Sequence, residues 1–180
     1  RGRPSVSGLG KYVWTALLIA VLTHAALLYG FPRVLMSTAM QRVGQGHFNA
    51  WRPAPRVTEA SRGIVRPAPD LAYSICPYDL SHGPIRIQVA PWRDYWSLSL
   101  YQDNSDNYFV IDDHEARGGA DITLVRSGAT PPEHSSQVVE SPSTRGVALI
   151  RRLAPTQSAY DAASAVAKGD VCAAIVRLTN

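Results

Sequence analysis

The sequence predicts one membrane-spanning helix followed by a mainly β domain, an antiparallel sandwich or barrel-like sheet with one C-terminal helix. Two observations predict this fold. Residues 12–29 form an apolar run without a charged residue, whose length approaches the hydrocarbon thickness of a bilayer. From residue 70 onward, apolar and polar side chains alternate in short segments that are separated by turn-forming residues.

Charge is distributed unevenly along the 180-residue chain. The formal net charge is +4, yet from Pro67 onward nine Lys and Arg residues face thirteen Asp and Glu residues, so the predicted domain is acidic. The basic excess lies beside the apolar run, where it favours contact with anionic lipid headgroups. A nucleic-acid partner is not expected, because such proteins carry basic residues on the binding domain itself.

The predicted organisation has four parts. Residues 1–11 form a basic cytoplasmic tail, 12–31 the transmembrane helix, 32–69 a juxtamembrane amphipathic segment with a Pro/Arg-rich connector, and 70–180 the exported domain. Pro32 ends the apolar run, and residues 33–43 either continue the helix or lie along the interface. The cytoplasmic position of the tail follows from its three basic residues, which exceed those just after the span by one.

A cleaved secretory signal is the alternative to a retained anchor. Its charged start, apolar stretch and small-residue site near Ala25 are all present in the sequence. Apolar residues continue past that site through Leu28, which favours a retained helix. The domain is exported in either case.

His24 lies inside the apolar run. An imidazole that faces lipid is costly, so His24 is expected to face protein or a bound group. Ala16, Ala20 and Thr23 form a stripe of small residues beside it, which favours contact with another membrane helix. The alternative is a haem or a chlorin ligated by His24, with the small Ala20 four residues before it giving room for the ring.

The β domain is predicted from its alternating segments. Strands are expected at residues 71–76, 84–90, 95–101, 108–112, 121–126, 137–140 and 146–153. Residues 156–167 predict a helix that stops at Gly169, and residues 171–178 predict a closing strand.

Several of these segments resemble a known family. Asp79-Leu-Ser-His-Gly-Pro84, Tyr95-Trp-Ser-Leu-Ser-Leu-Tyr101 and Asn107-Tyr-Phe resemble the domain of unknown function 1254, over residues 70–152 and more loosely to the C-terminus. The short form, without the companion domain of unknown function 1214, is similar to membrane-anchored members in alphaproteobacteria. The resemblance implies a jelly-roll-like β-sandwich. The charge difference across the span and the cysteines expected in an exported domain predict that this sandwich lies on the periplasmic side of a bacterial inner membrane. The resemblance implies no activity, and Asp70-Leu-Ala-Tyr73 keeps only the Asp and Tyr of the family's Asp-Thr-Leu-Tyr.

Cys76 and Cys172 are the two cysteines of the chain. An even number in an exported domain predicts a disulfide, here between the first strand of the domain and its last segment. Two unrelated buried thiols are the alternative. A metal site is poorly served by two ligands without a third.

A loop at Asp103 and Asp106 concentrates oxygen ligands. With Asn104 and Asn107, these carboxylates suit calcium, although the EF-hand spacing is absent. Asn and Asp are also the residues that tight turns use between strands, which is the structural interpretation.

A second candidate site combines aromatic and titratable residues. Trp92 and Tyr95 suit stacking on a sugar or an apolar ligand, while Asp112, Asp113 and His114 suit acid–base chemistry or metal binding. Core packing and a solvated loop are the structural alternatives, with Trp92, at a turn after Pro91, expected to be the most exposed of the aromatic residues. No group of residues matches a known catalytic motif, so no catalytic residue is assigned.

Two functions follow from these observations. The first is a non-catalytic accessory or assembly subunit that contacts other inner-membrane subunits through its transmembrane helix. The second is an exported domain that binds or processes a small molecule or a glycan, with the aromatic residues as its platform.

Overall fold

One long helix and two β-sheets make up the structure, a computed structural model that describes residues 6–58, 61, 67–133, 135 and 137–175. The mainly β fold, the N-terminal apolar helix and the C-terminal helix are confirmed. The elements are α1 (Val6–Gly44), β1 (Arg52–Pro53), β2 (Leu71–Asp79), β3 (Ile85–Val89), β4 (Trp96–Gln102), β5 (Asn107–Asp112), β6 (Ala120–Arg126), β7 (Gln137–Ser141), β8 (Arg145–Leu153), α2 (Gln157–Val166), a short 3-10 helix (Ala167–Gly169) and β9 (Val171–Ala174).

The strands form a five-stranded and a four-stranded sheet. The first has the order β1-β2-β8-β4-β5 and the second the order β7-β6-β3-β9. Neighbouring strands are antiparallel in every described pair except β6 and β7, which run parallel. The sequence pattern predicts antiparallel pairing, so this parallel pair and the two-residue strand β1 were not predicted.

The apolar faces of both sheets share one core. In β3, Ile85, Ile87 and Val89 are buried while Arg86 is exposed, so the predicted period-two alternation is confirmed. The same core cluster contains Leu98 and Ile150 from the other sheet. The two sheets are therefore layers of a sandwich that bury their inward-facing side chains against each other.

Strand β4 is buried on both faces. Trp96, Leu98 and Leu100 point into the core, as expected, but Ser97 and Ser99 are also only 2% exposed. The sequence pattern predicts a solvated serine face. It is covered because β4 lies between β8 and β5, whose longer side chains at the paired positions flank the short serines.

Helix α1 is longer than the predicted span. Its 39 residues correspond to about 58 Å, roughly twice the hydrocarbon thickness of a bilayer. Pro32 lies inside the helix rather than at its end, so residues 33–43 continue the helix, which was one of the two expected possibilities. Near the helix end, Met40 is 5% exposed and Gly44 packs against Pro77 of β2. The last turns of α1 are thus docked on the sandwich.

The segment after α1 is fastened to the sandwich at several points. Asn49 accepts the backbone N–H of Asp79 (2.8 Å) and donates to its carbonyl (3.0 Å). Trp51 packs against the core, and the hydroxyl of Tyr160 in α2 donates to the carbonyl of Ala54 (2.7 Å). Residues 49–58 therefore form a docked segment rather than a free linker, because the sandwich supplies hydrogen-bond partners for polar groups of this segment.

The predicted disulfide is confirmed. Cys76 and Cys172 are bonded across 96 residues of sequence. Cys76 belongs to β2 in the five-stranded sheet and Cys172 to β9 in the four-stranded sheet. The bond therefore crosses the core and links the two layers of the sandwich.

A buried ion pair lies between β8 and the segment before β9. The guanidinium of Arg152 donates to both carboxylate oxygens of Asp170 (2.7 and 2.9 Å), and the two side chains are 2% and 0% exposed. The backbone of Ala90 completes the cluster, since its N–H donates to Asp170 and its carbonyl accepts from Arg152. Such a paired and bidentate geometry is what allows charges to be buried.

Helix α2 begins at an N-cap. The side-chain oxygen of Thr156 accepts the backbone N–H of Ala159, which satisfies a donor that the first helical turn leaves free. Ala163 is the buried residue of its inner face. The helix thus covers the sandwich beside β2, within the range that the sequence predicts.

Candidate functional site

Trp92 is part of the core rather than an exposed platform. Only 8% of its surface is exposed, and its indole N–H donates to the carbonyl of Leu153 (3.1 Å). The expectation that Trp92 is the most exposed aromatic residue of its group is therefore wrong. The sequence suggested exposure at a turn, but a backbone acceptor lets the whole indole be buried. Tyr95 is the exposed member, at 41%, and its hydroxyl donates to Ser97 (3.1 Å).

Asp112 and Asp113 lie at the end of the five-stranded sheet where β4 begins and β5 ends. Ser97 pairs with Asp112 across β4 and β5, and the backbone N–H of Asp113 donates to the carbonyl of Trp96 (3.2 Å). One oxygen of Asp112 accepts the backbone N–H of His114 (2.9 Å), and His114 itself is exposed. Asp112 therefore closes a turn, as carboxylates often do.

The cavities described for this structure lie away from these residues. Three cavities among the described residues are lined by other side chains, and not by Trp92, Tyr95, Asp112, Asp113 or His114. In the same part of the chain, no group of three or more His, Cys, Asp or Glu side chains is arranged to hold a metal ion. Ligand binding at this end of the sheet stays a prediction.

The loop between β4 and β5 has the geometry of a turn. The side chain of Asn104 accepts the backbone N–H of Asp106 (3.0 Å), and Ser105 has a left-handed φ of 75°. The Asp106 carboxylate accepts from the amides of Asn104 and Gln102. The side chains of Asn104 and Asp106 are thus used within the turn. Calcium binding at Asp103 and Asp106 stays a prediction.

A groove of about 820 Å³ separates the end of α1 from one edge of the sandwich. Arg33 and Ser37 line it on the helix side. Arg126 from the end of β6 and Arg145 from the start of β8 line it on the sandwich side. This groove was not predicted from the sequence, because it joins α1 to strand ends that lie about 90 to 110 positions further along the chain.

Buried hydroxyl groups lie behind the groove. The phenol of Tyr78 lies 2.9 Å from that of Tyr108 and 3.0 Å from Ser141 Oγ. Ser141 in turn donates to the carbonyl of Ser143, which lines the groove. Burial raises the pKa of Tyr78, and burial with the neighbouring Tyr78 raises that of Tyr108. Both phenols therefore stay neutral and serve as hydrogen-bonding supports.

Asp79 links Ser81 and Arg145, two residues that line the groove. Its carboxylate accepts from Arg145 Nε (2.7 Å) and from the backbone N–H of Ser81 (2.8 Å). Burial raises the pKa of Asp79, but the hydrogen bonds from Ser81 and Arg145 outweigh it, so the pKa lies below its ordinary value. The charged form of this carboxylate is thus the one that the fold stabilises.

Replacing Asp79 with Asn is expected to lower the free energy of unfolding by about 1–2 kcal/mol at pH 7, because charge-assisted hydrogen bonds are lost. The folded-state pKa is depressed, so this stabilisation is present above the ordinary carboxyl pKa of about 4 and is lost as the pH falls through the folded value. Urea denaturation of both proteins from pH 7 to 3 measures the difference, which should shrink below about pH 4. Asp94→Asn, in an exposed pair with Arg93, is the control and should change stability by less than about 0.5 kcal/mol. A difference that does not change with pH would contradict the assignment.

His24 lies beside a depression on the surface of α1. The depression has a volume of about 490 Å³ and is lined by Ala20, Val21, His24, Ala25, Leu28 and Tyr29. Two of the four residues predicted for helix contact, Ala20 and His24, thus share one concave face. Ala16 and Thr23 are exposed on the same helix but do not line the depression. A haem or a chlorin at His24 stays a prediction.

Comparison with known proteins identifies the family. The profile of a family described as "Protein of unknown function (DUF1254)" matches residues 47–173. The chain belongs to this family. The matched residues cover the docked segment and the sandwich, so the resemblance that the sequence motifs suggested is confirmed. No curated protein matches the chain.

Two solved structures are similar to this DUF1254 chain. The VPA0106 protein from Vibrio parahaemolyticus is 14% identical with a TM-score of 0.62, over 81% of this chain and 36% of its own length. An uncharacterized protein from Burkholderia cenocepacia is 19% identical with a TM-score of 0.46, over 63% of this chain and 33% of its own. The chain thus spans about a third of the length of each. The first similarity supports the fold.

Proposed function

We propose that this DUF1254 protein is a non-catalytic accessory or assembly subunit of an inner-membrane complex, anchored by α1 and carrying its sandwich on the outer side. The observation that carries the proposal is that α1 is exposed along its apolar part and docked only at its end. An 18-residue apolar window of this helix has none of its residues buried, whereas the end of the same helix is docked on the sandwich. An apolar helix held by its own domain at one end needs lipid or other helices around the rest.

The face with His24 is the proposed contact with other subunits. In lipid, helices associate through small residues that allow close approach and through hydrogen bonds between polar side chains. The depression beside Ala20 and His24 offers both features. Larger apolar side chains, such as Leu18 and Leu22, are exposed elsewhere on the helix and suit acyl chains.

The disulfide supports an exported sandwich. Bonds of this kind persist in oxidising compartments such as the bacterial periplasm and are rare in the cytosol. Because Cys76 and Cys172 are both in the sandwich, that domain is assigned to the periplasmic side, and Lys11 to the cytoplasmic side.

The subunit proposal is tested by mild-detergent purification and mass spectrometry of the proteins that accompany the chain. Ala20→Phe is expected to release most of the accompanying membrane proteins, because the larger side chain fills the depression beside His24. Leu22→Phe is the matched control, since it adds a similar ring to an exposed position that does not line the depression. Equal recovery of the same partners with both variants would reduce α1 to a simple anchor and overturn the subunit role.

The side of the membrane on which the sandwich lies is tested in the same cells before detergent is added. Protease added to spheroplasts should remove the sandwich and leave α1 in the membrane. A sandwich that resists the protease in intact spheroplasts, but is digested after lysis, would contradict the periplasmic assignment.

A further inference from the structure

The groove between α1 and the sandwich is positively charged. Three arginines line it, Arg33, Arg126 and Arg145, against one carboxylate, Asp103. Arg145 is also paired with Asp79, which lies outside the lining (2.7 Å). Three guanidinium groups against two carboxylates leave one positive charge uncompensated.

Two of the three guanidinium groups have no carboxylate partner. Arg33 donates to the carbonyl of Tyr29 in its own helix (2.7 Å). The guanidinium of Arg126 makes no hydrogen bond or ion pair with any residue that the structure describes. A guanidinium presents planar donors that match the oxygens of a phosphate, so both side chains are available for an anion of that kind.

Hydroxyl groups add neutral donors to the same groove. Ser81 and Thr144 both line it. The Ser81 hydroxyl is hydrogen-bonded to the Asp79 carboxylate, whereas the Thr144 hydroxyl has no hydrogen-bond partner within the described ranges. Arginine with hydroxyl donors is a common way to bind phosphate oxygens. The donor set therefore suits a phosphodiester, whose single negative charge matches the one uncompensated positive charge.

The position of the groove indicates where such a phosphate comes from. Arg33 is the first charged residue after the apolar run of α1, so it lies at the headgroup level when α1 spans a bilayer. Phe31, Val34 and Leu35 are exposed beside it and can contact acyl chains. Arg126 lines the same groove as Arg33, so this edge of the sandwich lies near the headgroups when α1 spans a bilayer.

We propose that the groove binds the phosphodiester of an anionic phospholipid headgroup. The inference rests on the proposed anchoring by α1 and defines a lipid partner for that anchor. Arg126 and Arg33 bind the phosphate from opposite walls, and the hydroxyl of Thr144 donates to one of its remaining oxygens. A bound headgroup thereby joins the helix to the sandwich and fixes the orientation of the domain above the membrane.

The test uses the full chain in a neutral detergent, titrated with short-chain phosphatidylglycerol or phosphatidylcholine and followed by native mass spectrometry. Phosphatidylglycerol should bind at least about fivefold more tightly. Arg126→Gln should lower its affinity about fivefold, and Thr144→Val, which changes no charge, about twofold. Arg117→Gln, at the opposite end of β6 and also a loss of one charge, should leave the affinity unchanged.

Three outcomes would overturn the headgroup site. Equal losses with Arg126→Gln and Arg117→Gln, or unchanged affinity in Thr144→Val, would mean diffuse attraction rather than a built site. Inorganic phosphate that competes fully with phosphatidylglycerol at equal concentration would mean a soluble phosphate ligand rather than a lipid.

Flotation with neutral liposomes separates this inference from the anchor on which it rests. A chain that does not float overturns the proposed anchoring. A chain that floats, but shows no preference for phosphatidylglycerol in the titration, overturns the headgroup site alone.

Discussion

Replacing Cys76 and Cys172 together with Ala is expected to lower the free energy of unfolding of the sandwich by about 3–5 kcal/mol. The bond closes a loop of nearly a hundred residues, and without it the unfolded chain gains the entropy of that loop. The effect is also structural, because this bond is a covalent link between β2 of one sheet and β9 of the other. The melting temperature should fall by at least about 10 °C.

Denaturation of the full chain in detergent, followed by tryptophan fluorescence, measures this change. Trp92 and Trp96 are buried in the sandwich, so a signal dominated by their emission reports on the sandwich rather than on α1. The wild type with a reducing agent is the first control and should match the double variant. Ile150→Val, an ordinary core change at a fully buried position, should cost only about 0.5–1.5 kcal/mol. A double variant as stable as the oxidised wild type would contradict the structural role of the bond.

Asp170→Asn is expected to destabilise the sandwich by about 3–5 kcal/mol, because it leaves the guanidinium of Arg152 buried without its counter-charge. The same change weakens the hydrogen bonds that Asp170 makes with Arg152 and with the backbone of Ala90. Chemical denaturation at neutral pH measures the loss.

The control for Asp170→Asn is an exposed ion pair on the same sandwich. Arg86→Gln removes one ionic partner of Asp121, and the two side chains are 50% and 34% exposed, so the expected loss is below about 1 kcal/mol. The double variant Arg152→Met with Asp170→Asn should lose less stability than the two single losses added together, since no unpaired charge remains buried. Asp170→Asn within 1 kcal/mol of the wild type would show that the buried pair contributes little.

The local features of the fold could be predicted because each depends on nearby residues. The apolar run before Pro32, the alternation in β3 and the Thr156 cap are written in short stretches of sequence. The disulfide was also predictable, since the two cysteines of the predicted β domain leave one possible pair. Family motifs around Asp79 then indicated the sandwich.

The surroundings of individual side chains could not be predicted in this way. Trp92 follows a proline at a turn, yet it is buried because the distant carbonyl of Leu153 accepts its N–H. The alternating sequence of β4 predicts that Ser97 and Ser99 face solvent, yet neighbouring strands cover them. In both cases, contacts with strands that are distant in the sequence decide whether water reaches the side chain.

The sequence by itself determined an N-terminal apolar helix, a β domain with two cysteines, and an uneven distribution of charge. Only the tertiary structure decided that α1 runs on through Pro32 and docks by Met40 and Gly44. It also decided that Arg33 meets Arg126 and Arg145 across one groove, and that Arg152 finds Asp170 in the core. The physical reason is that these contacts join residues far apart in the chain, and their geometry is fixed by how the sheets pack rather than by local pattern.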